Sequence, residues 1–556
     1  MQNKTRNSLI VSLSLLLAVS LTAIPAQAAT TSSKTSAKSA MASAVKNPVV
    51  LRMTRLGDIS QAFGPTRNSS GSDHLLNALI FSNLVKVAPD EKTILPDLAT
   101  SWVASADASE FTFTLAQGVK WSDGKPFTAA DVISTISMAC HFGPAGYIGY
   151  QPTQWRLVQG CSDAFGKLDV TPKGLTKVSD YVVKIKLTQS NSQFVRLITD
   201  AVYSIVPAKK VDGLSNAEYA LSNFVVDKPV GTGPYIMKLF KRNQYIVFQA
   251  NPNYFGGAPK IDTIYFMVNT KPANVLPMLK KGELDLAIDI GVDLESQLAT
   301  MKTKYKTIWN STVAGEFFQF RADQGMAANV KVRQAVMYAI DRRSMLTNLL
   351  GGHGTIRWML GGFDQTIAGL DPYEYNPTKA KALLKESGVD LTQKFEIMYS
   401  PLTDPAWPKM VPVMQQQLQA VGLNVVLNPV DQAAWVSKQN SKDATYALTL
   451  NSGGSIGLGA SRSAGYFNCK APLNSWYANC ALDQLFLDLL ATTVPATQDA
   501  IKAKIAAIIN TDVPFITIWE KQTLNAVSTR LGGSFALFAN DRDSTFNVSG
   551  WTMAAK

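Results

Sequence analysis

The stretch Leu95-Pro-Asp-Leu-Ala-Thr-Ser-Trp102 leads into Phe111-Thr-Phe-Thr-Leu115 and then into Gly118-Val-Lys-Trp-Ser-Asp-Gly-Lys-Pro-Phe-Thr-Ala-Ala-Asp-Val132. In its middle segment large apolar residues alternate with Thr, which is the pattern of a half-buried strand. Residues 122–126 contain the Gly and Pro of a turn. Thr128 followed by Asp131 predicts a helix start, where the helix dipole favours an acid. The stretch therefore predicts a strand, a turn and a capped helix, with Trp102 and Trp121 on either side of the strand.

The composition limits the class of protein. A chain of 556 residues is too long for one hydrophobic core and predicts two or three domains. With 17% charged and 46% hydrophobic residues, the chain is globular rather than disordered. The net charge of +12 comes from scattered residues, so it predicts a cationic solvated surface and not a nucleic-acid site. Strand-like and helix-like segments alternate from Val49 onward, which indicates α/β layers.

The first 28 residues have the features of a secretory signal peptide. Two basic residues precede an apolar run from Leu9 to Ile24, and Ala26-Gln-Ala28 supplies small residues for cleavage. The run is short for a membrane span, and no Cys follows it for lipid attachment. Residues 29–47 are predicted to form a flexible leader. We therefore expect a periplasmic or otherwise extracytoplasmic protein that is soluble after cleavage and is not a lipoprotein.

The four cysteines form two pairs that are close in sequence. In an oxidising compartment the expected disulfides are Cys140–Cys161 and Cys469–Cys480, although four cysteines permit three connectivities. Each would stabilise the fold by about 3 kcal/mol in the chain-entropy model. A metal site is the alternative, but no C-x-x-C spacing or nearby His pair supports it. We expect no metal and no cofactor.

Further segments follow the opening stretch in a characteristic order. They are Val230–Ile236, Asn251–Asp262, Gly282–Ala287, Val332–Asp341, Tyr375–Gly388, Val421–Val425 and Asp512–Trp519. Together with the opening stretch, they resemble the extracellular solute-binding proteins of family 5. That family comprises the peptide-, dipeptide- and nickel-binding components of ABC importers. One such segment alone is a weak signal, but the whole series in order identifies the family.

Several residues outside any binding role are predicted to support the fold. Trp102 and Trp121 belong to the family motif, and Arg333 and Asp341 are interpreted as a structural pair of charges on one helix. Residues 74–87 are predicted to be helical, because their leucines and isoleucine fall on one apolar stripe.

The resemblance implies a two-lobed α/β fold of the periplasmic-binding-protein type, in the class with an extra domain, with a hinge between the lobes. Domain I would comprise residues 48–86, 200–311 and 521–556, domain II residues 87–199, and domain III residues 312–520. Ligand contacts to both lobes would drive closure about the hinge. The function implied is capture and not catalysis, and the sequence contains no H-E-x-x-H or phosphate-loop motif.

The resemblance also raises a question about the ligand. Peptide-binding members often hold the ligand's α-ammonium with an Asp in domain III, shortly before a disulfide loop. Here the corresponding segment, residues 449–459, contains no carboxylate. A buried ammonium needs a charged partner, so either another acid substitutes or the ligand is not an ordinary free-amino peptide. Asn451 and Ser452 are candidate ligand-binding residues, or else part of a Gly-rich turn that follows a strand.

Five more residues are candidates for the binding cleft. Arg357 could hold a carboxylate or phosphate and Trp358 could stack on the ligand, or the two could pack together at the surface. Trp407 and Trp435 either face the cleft or belong to the core. Asp404 is a possible replacement for the missing ammonium ligand, although Asp-Pro also marks turns.

The sequence therefore predicts the solute-binding component of an ABC importer. It would capture a peptide or peptide-like solute, deliver it to permease subunits in the membrane, act as a monomer and bind no nucleic acid. Two alternatives stay open. One is the same fold with an oligosaccharide, an opine, chelated nickel or another non-peptide solute, and the other is a sensor or chaperone-like binder without a permease.

Overall fold

The computed structural model describes residues 48–55, 59, 63–64, 71–90, 92–142, 153–268, 271–357, 367–401, 404, 406, 407–439, 441, 445–455, 467, 469, 476–477, 479–537 and 541–555. The predicted signal peptide, the predicted leader and Trp358 lie outside the described residues. No helix in these ranges combines the length and the apolar character needed to cross a bilayer.

Strands and helices alternate along the described chain, as the α/β interpretation requires. The strands are β1 Val50–Arg55, β2 Val85–Val87, β3 Ile94–Pro96, β4 Ala99–Ala104, β5 Glu110–Leu115, β6 Leu175–Ser179, β7 Val182–Lys186, β8 Tyr235–Lys241, β9 Tyr245–Ala250, β10 Thr263–Met267, β11 Leu286–Ile288, β12 Tyr305–Phe320, β13 Gly354–Thr355, β14 Lys394–Tyr399, β15 Asn424–Pro429, β16 Leu448–Ser455, β17 Phe515–Ser528, β18 Leu531–Gly533 and β19 Trp551–Met553. The helices are α1 Gly71–Ile80, α2 Ala129–Phe142, α3 Phe194–Leu197, α4 Ala208–Val211, α5 Asn216–Leu221, α6 Asn223–Val226, α7 Pro272–Lys281, α8 Glu295–Leu298, α9 Val330–Ala339, α10 Arg342–Leu350, α11 Pro377–Ser387, α12 Trp407–Ala420, α13 Gln432–Gln439, α14 Ala481–Ala491 and α15 Pro495–Asp512.

An 11-stranded mixed sheet runs through both lobes. Its order is β15-β14-β16-β12-β17-β11-β1-β10-β9-β8, and β13 pairs with β17. In one half β1 is parallel to β10 and β11, and in the other half β14 is parallel to β15 and β16. This arrangement confirms the predicted α/β fold with two lobes. Ligands of such sheets bind outside the carboxyl ends of parallel strands, so those ends locate the site.

The long strands β12 and β17 join the two halves of the sheet. Residues 305–311 of β12 pair with residues 522–528 of β17, beside β11. Residues 315–319 pair with residues 515–520, beside β16. The register between β12 and β17 shifts between Ser311 and Gly315, and such irregularities bend and twist a strand pair. The connection between the lobes is therefore formed by these two crossing strands.

Separate hydrophobic cores lie on the two sides of the crossing strands. The second lobe has one large core, in which Phe318, Val336 and Met414 are fully buried. The first lobe has a core around the β1–β10 part of the large sheet, with Leu51 and Phe266 at its centre. Another core covers the four-stranded antiparallel sheet β4-β5-β7-β6. A chain of this length therefore divides its apolar residues among several cores, as domain size limits require.

The opening stretch folds as a strand, a turn and a helix. Phe111, Phe113 and Leu115 are buried on one face of β5, while Thr114 is exposed. Helix α2 begins one residue after Thr128. The Thr128 backbone N–H donates to Asp131 Oδ2 at 2.9 Å, so the acid three residues on satisfies an N–H at the helix start. The sequence prediction for this stretch is confirmed.

Two local predictions are wrong. The helix at residues 74–87 ends at Ile80, because Val85–Val87 pairs as a strand with Ile94–Pro96. Arg333 does not pair with Asp341: its guanidinium donates to the carbonyls of residues 327, 328 and 512. Asp341 instead accepts a hydrogen bond from the Ser344 N–H and caps α10. Both residues still support the fold, through backbone groups that the sequence does not place.

Both predicted disulfides are present. Cys140, near the end of α2, is joined to Cys161, and Cys469 is joined to Cys480 at the start of α14. Neither bond closes a long loop, since the sequence separations are 21 and 11 residues. The two disulfides therefore act locally, one in each lobe.

Candidate functional site

Charged side chains from both lobes meet at the crossing strands. Arg55 is the last residue of β1 and Asp289 follows β11, so both lie at carboxyl ends of strands in the first lobe. Asp404 follows β14, a parallel strand of the second lobe. Glu316 lies on β12 and Lys521 on β17. We call these five residues the hinge charge cluster, and its position is where a two-lobed α/β protein binds its ligand.

Lys521 is the centre of the cluster. Its ammonium lies 2.7 Å from Asp404 Oδ2, which belongs to the second lobe. Asp289 of the first lobe lies close enough to favour the charged form of the same ammonium. Asp289 itself is paired with Arg55 at 3.1 Å. One cation on a crossing strand therefore interacts with carboxylates of both lobes.

Glu316 is the most deeply buried acid of the cluster. Its side chain accepts a 2.6 Å hydrogen bond from the Trp407 indole N–H. Only 2% of the residue is exposed, and Asp404 is 4% exposed. Asp404 also accepts the Ala406 N–H at 2.8 Å, which forms a turn at the start of α12. Asp404 therefore has both of its predicted roles at once: it forms a turn and it pairs with a cation.

The protonation of the two acids differs. Burial raises the pKa of Glu316 to about 8, and the neighbouring charge of Asp404 adds to this increase. Burial acts in the same direction on Asp404, but Lys521 and the Ala406 N–H outweigh it and lower its pKa. Burial opposes the charge of Lys521, yet Asp404 and Glu316 raise its pKa above the usual value. At neutral pH Glu316 is therefore protonated and Asp404 is ionised.

Arg357 lies beside the cluster and not within it. Its Nε donates to Glu520 Oε2 at 2.8 Å, and β13 hydrogen-bonds β17 at this point. Glu520 lies opposite Gly315 and Lys521 follows it on β17, so the two side chains start on opposite faces of the strand. The Arg357 side chain is 34% exposed, whereas that of Glu520 is 9% exposed. Arg357 would hold a ligand with donors other than the Nε–H, which Glu520 accepts.

The two candidate tryptophans lie behind Glu316. Trp407 is 1% exposed and Trp435 6%, with ring centroids 6.5 Å apart. The Trp435 indole N–H donates to Thr449 Oγ1 at 3.1 Å. Both rings are core residues in this structure, and Trp407 also positions a carboxyl group of the cluster. Whether they contact the ligand stays a prediction.

Asn451 and Ser452 lie on β16, which continues through residue 455. The alternative of a Gly-rich turn is therefore wrong at these two residues, because β16 pairs with β12 on both sides of a register shift between Ala314 and Gly315, and Gly453 lies opposite Gly315. Asn451 Nδ2 donates to Gln319 Oε1 at 3.0 Å. Ser452 lies directly opposite Glu316. A carboxyl group thus lies beside the segment that lacks one, contributed by the neighbouring strand.

Sequence reasoning missed Glu316, Lys521, Glu520 and Asp289. A signal existed for Glu316, since an acid within Gly315-Glu-Phe-Phe-Gln-Phe320 interrupts an apolar strand. For Asp289 the signal is found only in the structure. Its backbone φ of 54° lies in the left-handed region, which residues with a side chain rarely adopt. Lys521 and Glu520 carry no local signal.

Comparisons with known proteins agree with this architecture. The profile of the bacterial extracellular solute-binding proteins, family 5 Middle, matches residues 93–470. The oligopeptide-binding protein AppA of Bacillus subtilis is 24% identical over 500 residues, which cover 86% of each chain. The structure of AppA with a nonapeptide matches with a TM-score of 0.75 at 21% identity, over 92% of this chain and 100% of that chain.

Two further structures resemble this chain. The ABC transporter substrate binding protein CtaP of Listeria monocytogenes has a TM-score of 0.77 at 23% identity, over 91% of this chain and 100% of its own. AgaA of A. tumefaciens R10, in complex with agropinic acid, has a TM-score of 0.74 at 20% identity, over 91% and 99%. At such identities these likenesses establish a shared fold.

Proposed function

The chain belongs to the bacterial extracellular solute-binding proteins of family 5, and on this premise we propose that it captures a peptide or peptide-like solute between its lobes and delivers it to an ABC permease. The protein is a solute-binding component and not an enzyme. The observation that carries the proposal is the hinge charge cluster. Its groups come from the carboxyl ends of parallel strands in both lobes and meet on the strands that join them.

A ligand held at this position would contact both lobes. Such contacts favour the closed arrangement, because a ligand shifts a conformational equilibrium only by its difference in affinity for the two states. Peptides suit the site because they combine charged termini with a polar backbone. The oligopeptide-binding and dipeptide-binding names of two relatives support the same class of ligand.

A non-peptide solute is the second candidate. The observation that favours it is the absence of any carboxylate in residues 449–459, together with the likeness to AgaA in complex with agropinic acid. Opines, oligosaccharides and chelated nickel belong to this class. Among the described residues no group of three or more His, Cys, Asp or Glu side chains is arranged to hold a metal ion.

The remaining parts of the proposal concern export and assembly. We propose cleavage of the signal peptide after Ala28, a soluble monomer in the periplasm or another extracytoplasmic compartment, and the domain boundaries stated above. The division of the apolar residues into separate cores supports those boundaries. Transport, rather than a role as sensor or chaperone-like binder, would be supported by genes for a permease and an ATPase beside this one.

The direct experiment is a thermal-shift screen of the mature protein against di-, tri- and oligopeptides, sugars and opines. Ligand binding to the native state increases the free energy of unfolding by about 2.7 kcal/mol at a hundredfold excess over Kd. The unfolding temperature therefore rises. We expect a peptide to give the largest shift. A clear shift with a sugar or an opine, and none with any peptide, would contradict the peptide assignment.

A further inference from the structure

The two lobes also touch at a point that belongs to neither crossing strand. The Ser192 backbone N–H donates to the Leu490 carbonyl at 2.7 Å. Ser192 lies in a turn between β7 and α3, two residues before Phe194 in the core that covers the four-stranded sheet. Leu490 lies near the carboxyl end of α14 and is buried in the core of the second lobe. We call the pair of Ser192 and Leu490 the lobe clasp.

The lobe clasp depends on the arrangement of the lobes. Its two residues belong to separate hydrophobic cores, and the strands that join the lobes are β12 and β17. In a hinge motion each packed core moves as a unit, and the change is absorbed by a few connecting residues. A rotation about the crossing strands therefore separates Ser192 from Leu490. The hydrogen bond exists only while the lobes are close together.

The acceptor of the clasp is a helix end that needs a donor. The last four carbonyls of an α-helix have no partner within the helix, and they carry the negative end of its dipole. In α14 the Asp488 carbonyl accepts the Thr492 N–H at 3.1 Å, from the same lobe. The Leu490 carbonyl accepts its hydrogen bond from Ser192 of the other lobe. The first lobe thus contributes one of the caps of a second-lobe helix.

The donor of the clasp lies between two N–H groups that are bound inside their own domain. The Asn191 N–H donates to the Ala108 carbonyl at 2.9 Å, and the Gln193 N–H donates to Asn191 Oδ1 at 3.1 Å. These two bonds hold the turn on the four-stranded sheet domain, and the Ser192 N–H between them points to the second lobe. The turn is therefore already shaped for the contact.

The clasp is too weak to hold the lobes together alone. Ser192 Oγ and Gln193 Oε1 are buried and have no hydrogen-bond partner among the described residues. Burying a polar atom without a partner costs free energy, which offsets the gain from the Ser192 N–H. The contact therefore supports a closure that another interaction drives.

We propose that Ser192 is a positioning residue for capture: its N–H caps α14 when a solute draws the lobes together, and this hydrogen bond slows release of the solute. The inference rests on the proposed capture function and adds to it a determinant outside the hinge charge cluster. The bond must break before the lobes separate, so its effect falls on the release rate. Because both partners are protein backbone groups, the effect does not depend on the chemistry of the solute.

The first test measures amide hydrogen exchange of the mature protein at single-residue resolution. The probe is a mixture of tri- to pentapeptides, and a mixture of sugars and opines replaces it if the peptides give no thermal shift. We expect the Ser192 amide to exchange at least about tenfold more slowly with the probe than without it. The Asn191 and Thr492 amides are the internal controls, since their hydrogen bonds lie within one lobe. They should be protected in both samples.

The second test removes the donor. Ser192→Pro has no N–H at this position. One peptide from the binding mixture should dissociate about two- to tenfold faster from this variant, which corresponds to the loss of one hydrogen bond. Its association rate should stay close to the parental value, a division that a general loss of stability would not produce. Ser192→Ala is the matched variant, because it removes the hydroxyl and keeps the N–H, so slow exchange at residue 192 should persist.

Three results would overturn the inference and leave the capture function intact. One is a Ser192 amide as strongly protected as that of Asn191 without any probe, because the contact would then be permanent. Another is fast exchange at Ser192 with a probe that raises the unfolding temperature. The third is a parental release rate in Ser192→Pro, with unfolding curves that show a folded protein. If no probe raises the unfolding temperature, the capture function and this inference both fail.

Discussion

Two buried carboxyl groups, Asp131 in the first lobe and Glu316 at the hinge, each lie beside a tryptophan, but their other contacts differ. The Trp121 N–H lies 3.4 Å from Asp131 Oδ2, and the Trp407 N–H lies 2.6 Å from Glu316 Oε2. Burial raises the pKa of both acids. Asp131 accepts its other hydrogen bonds from backbone N–H groups, of Thr128 and Ala208. Glu316 instead interacts with the charged side chains of Asp404 and Lys521.

The difference separates an acid held by the backbone from one whose state depends on other side chains. Backbone donors are held in place by α2 and the start of α4, so they keep Asp131 in one state whatever binds elsewhere. Side chains from separate elements can rearrange, so the groups that set the pKa of Glu316 are less fixed. A perturbed pKa in a cleft indicates function only when its causes can change.

The largest effect is expected for Lys521→Met, because this variant removes the cation that lies beside the two hinge acids. The variant leaves Asp404 ionised and buried without its cation, which costs about 3 kcal/mol. Denaturant unfolding should show this loss above pH 7. Lys331→Met removes an exposed ion pair and should change stability by less than about 0.5 kcal/mol. Equal stability of Lys521→Met and the parent protein would mean that Lys521 does not offset the acids.

Asp131→Asn should have the next largest effect. The amide keeps one acceptor oxygen but turns its NH₂ group towards a backbone N–H that needs an acceptor, at a cost of about 1–3 kcal/mol. Ligand affinity should stay at the parental value, because Asp131 belongs to the first-lobe core. A loss of ligand affinity measured by calorimetry would show that Asp131 influences the site and would contradict its role as a structural acid.

Glu316→Gln should change how stability depends on pH. In the parent protein the folded pKa of about 8 lies above the unfolded value, so the folded state binds more protons and stability falls as pH rises from about 5 to about 8. The fall is complete above the folded pKa. The variant cannot titrate here, so its unfolding temperature should decline less over that interval. Parallel pH profiles for the variant and the parent would indicate that Glu316 titrates normally.

Arg357→Gln is expected to have the smallest effect on stability. The pair with Glu520 is partly exposed, so after allowance for solvent screening its loss costs roughly 0.5–1 kcal/mol. Binding sharpens the interpretation: if Arg357 holds a peptide carboxylate, the variant should reduce affinity for free-acid peptides but not for their C-terminal amides. Equal affinities of the variant and the parent for both would remove Arg357 from the site.

Sequence patterns predicted much of the fold. The alternation at Phe111–Leu115, the cap at Thr128 and both disulfides depend on residues close together in the chain, so local rules suffice. The prediction of a helix over residues 74–87 was wrong for the second half of that segment. The strand Val85–Val87 pairs with Ile94–Pro96, and Asn83 hydrogen-bonds the Thr199 carbonyl. Contacts of that kind override an apolar stripe that suits either helix or strand.

The candidate site was predicted only in part. Asp404 was identified as a possible partner for a cation, and it lies in the cluster at the hinge. Trp407 and Trp435 are present but buried, since an aromatic side chain is equally suited to a core and to a cleft. The missing acid near Ser452 looked like a defect of the peptide hypothesis. The pairing of β12 with β16 provides an acid, from residue 316, that no local pattern relates to residue 452.

The amino-acid sequence by itself determined the family, the strand–turn–helix unit and the disulfide pairs, because these follow from local spacing and from the order of motifs. Only the tertiary structure decided which charges meet. Glu316 and its Trp407 donor are 91 positions apart, and Asp404 and Lys521 are 117 positions apart. Their protonation depends on burial and on one another's charge, and both arise only when the crossing strands bring the two lobes together.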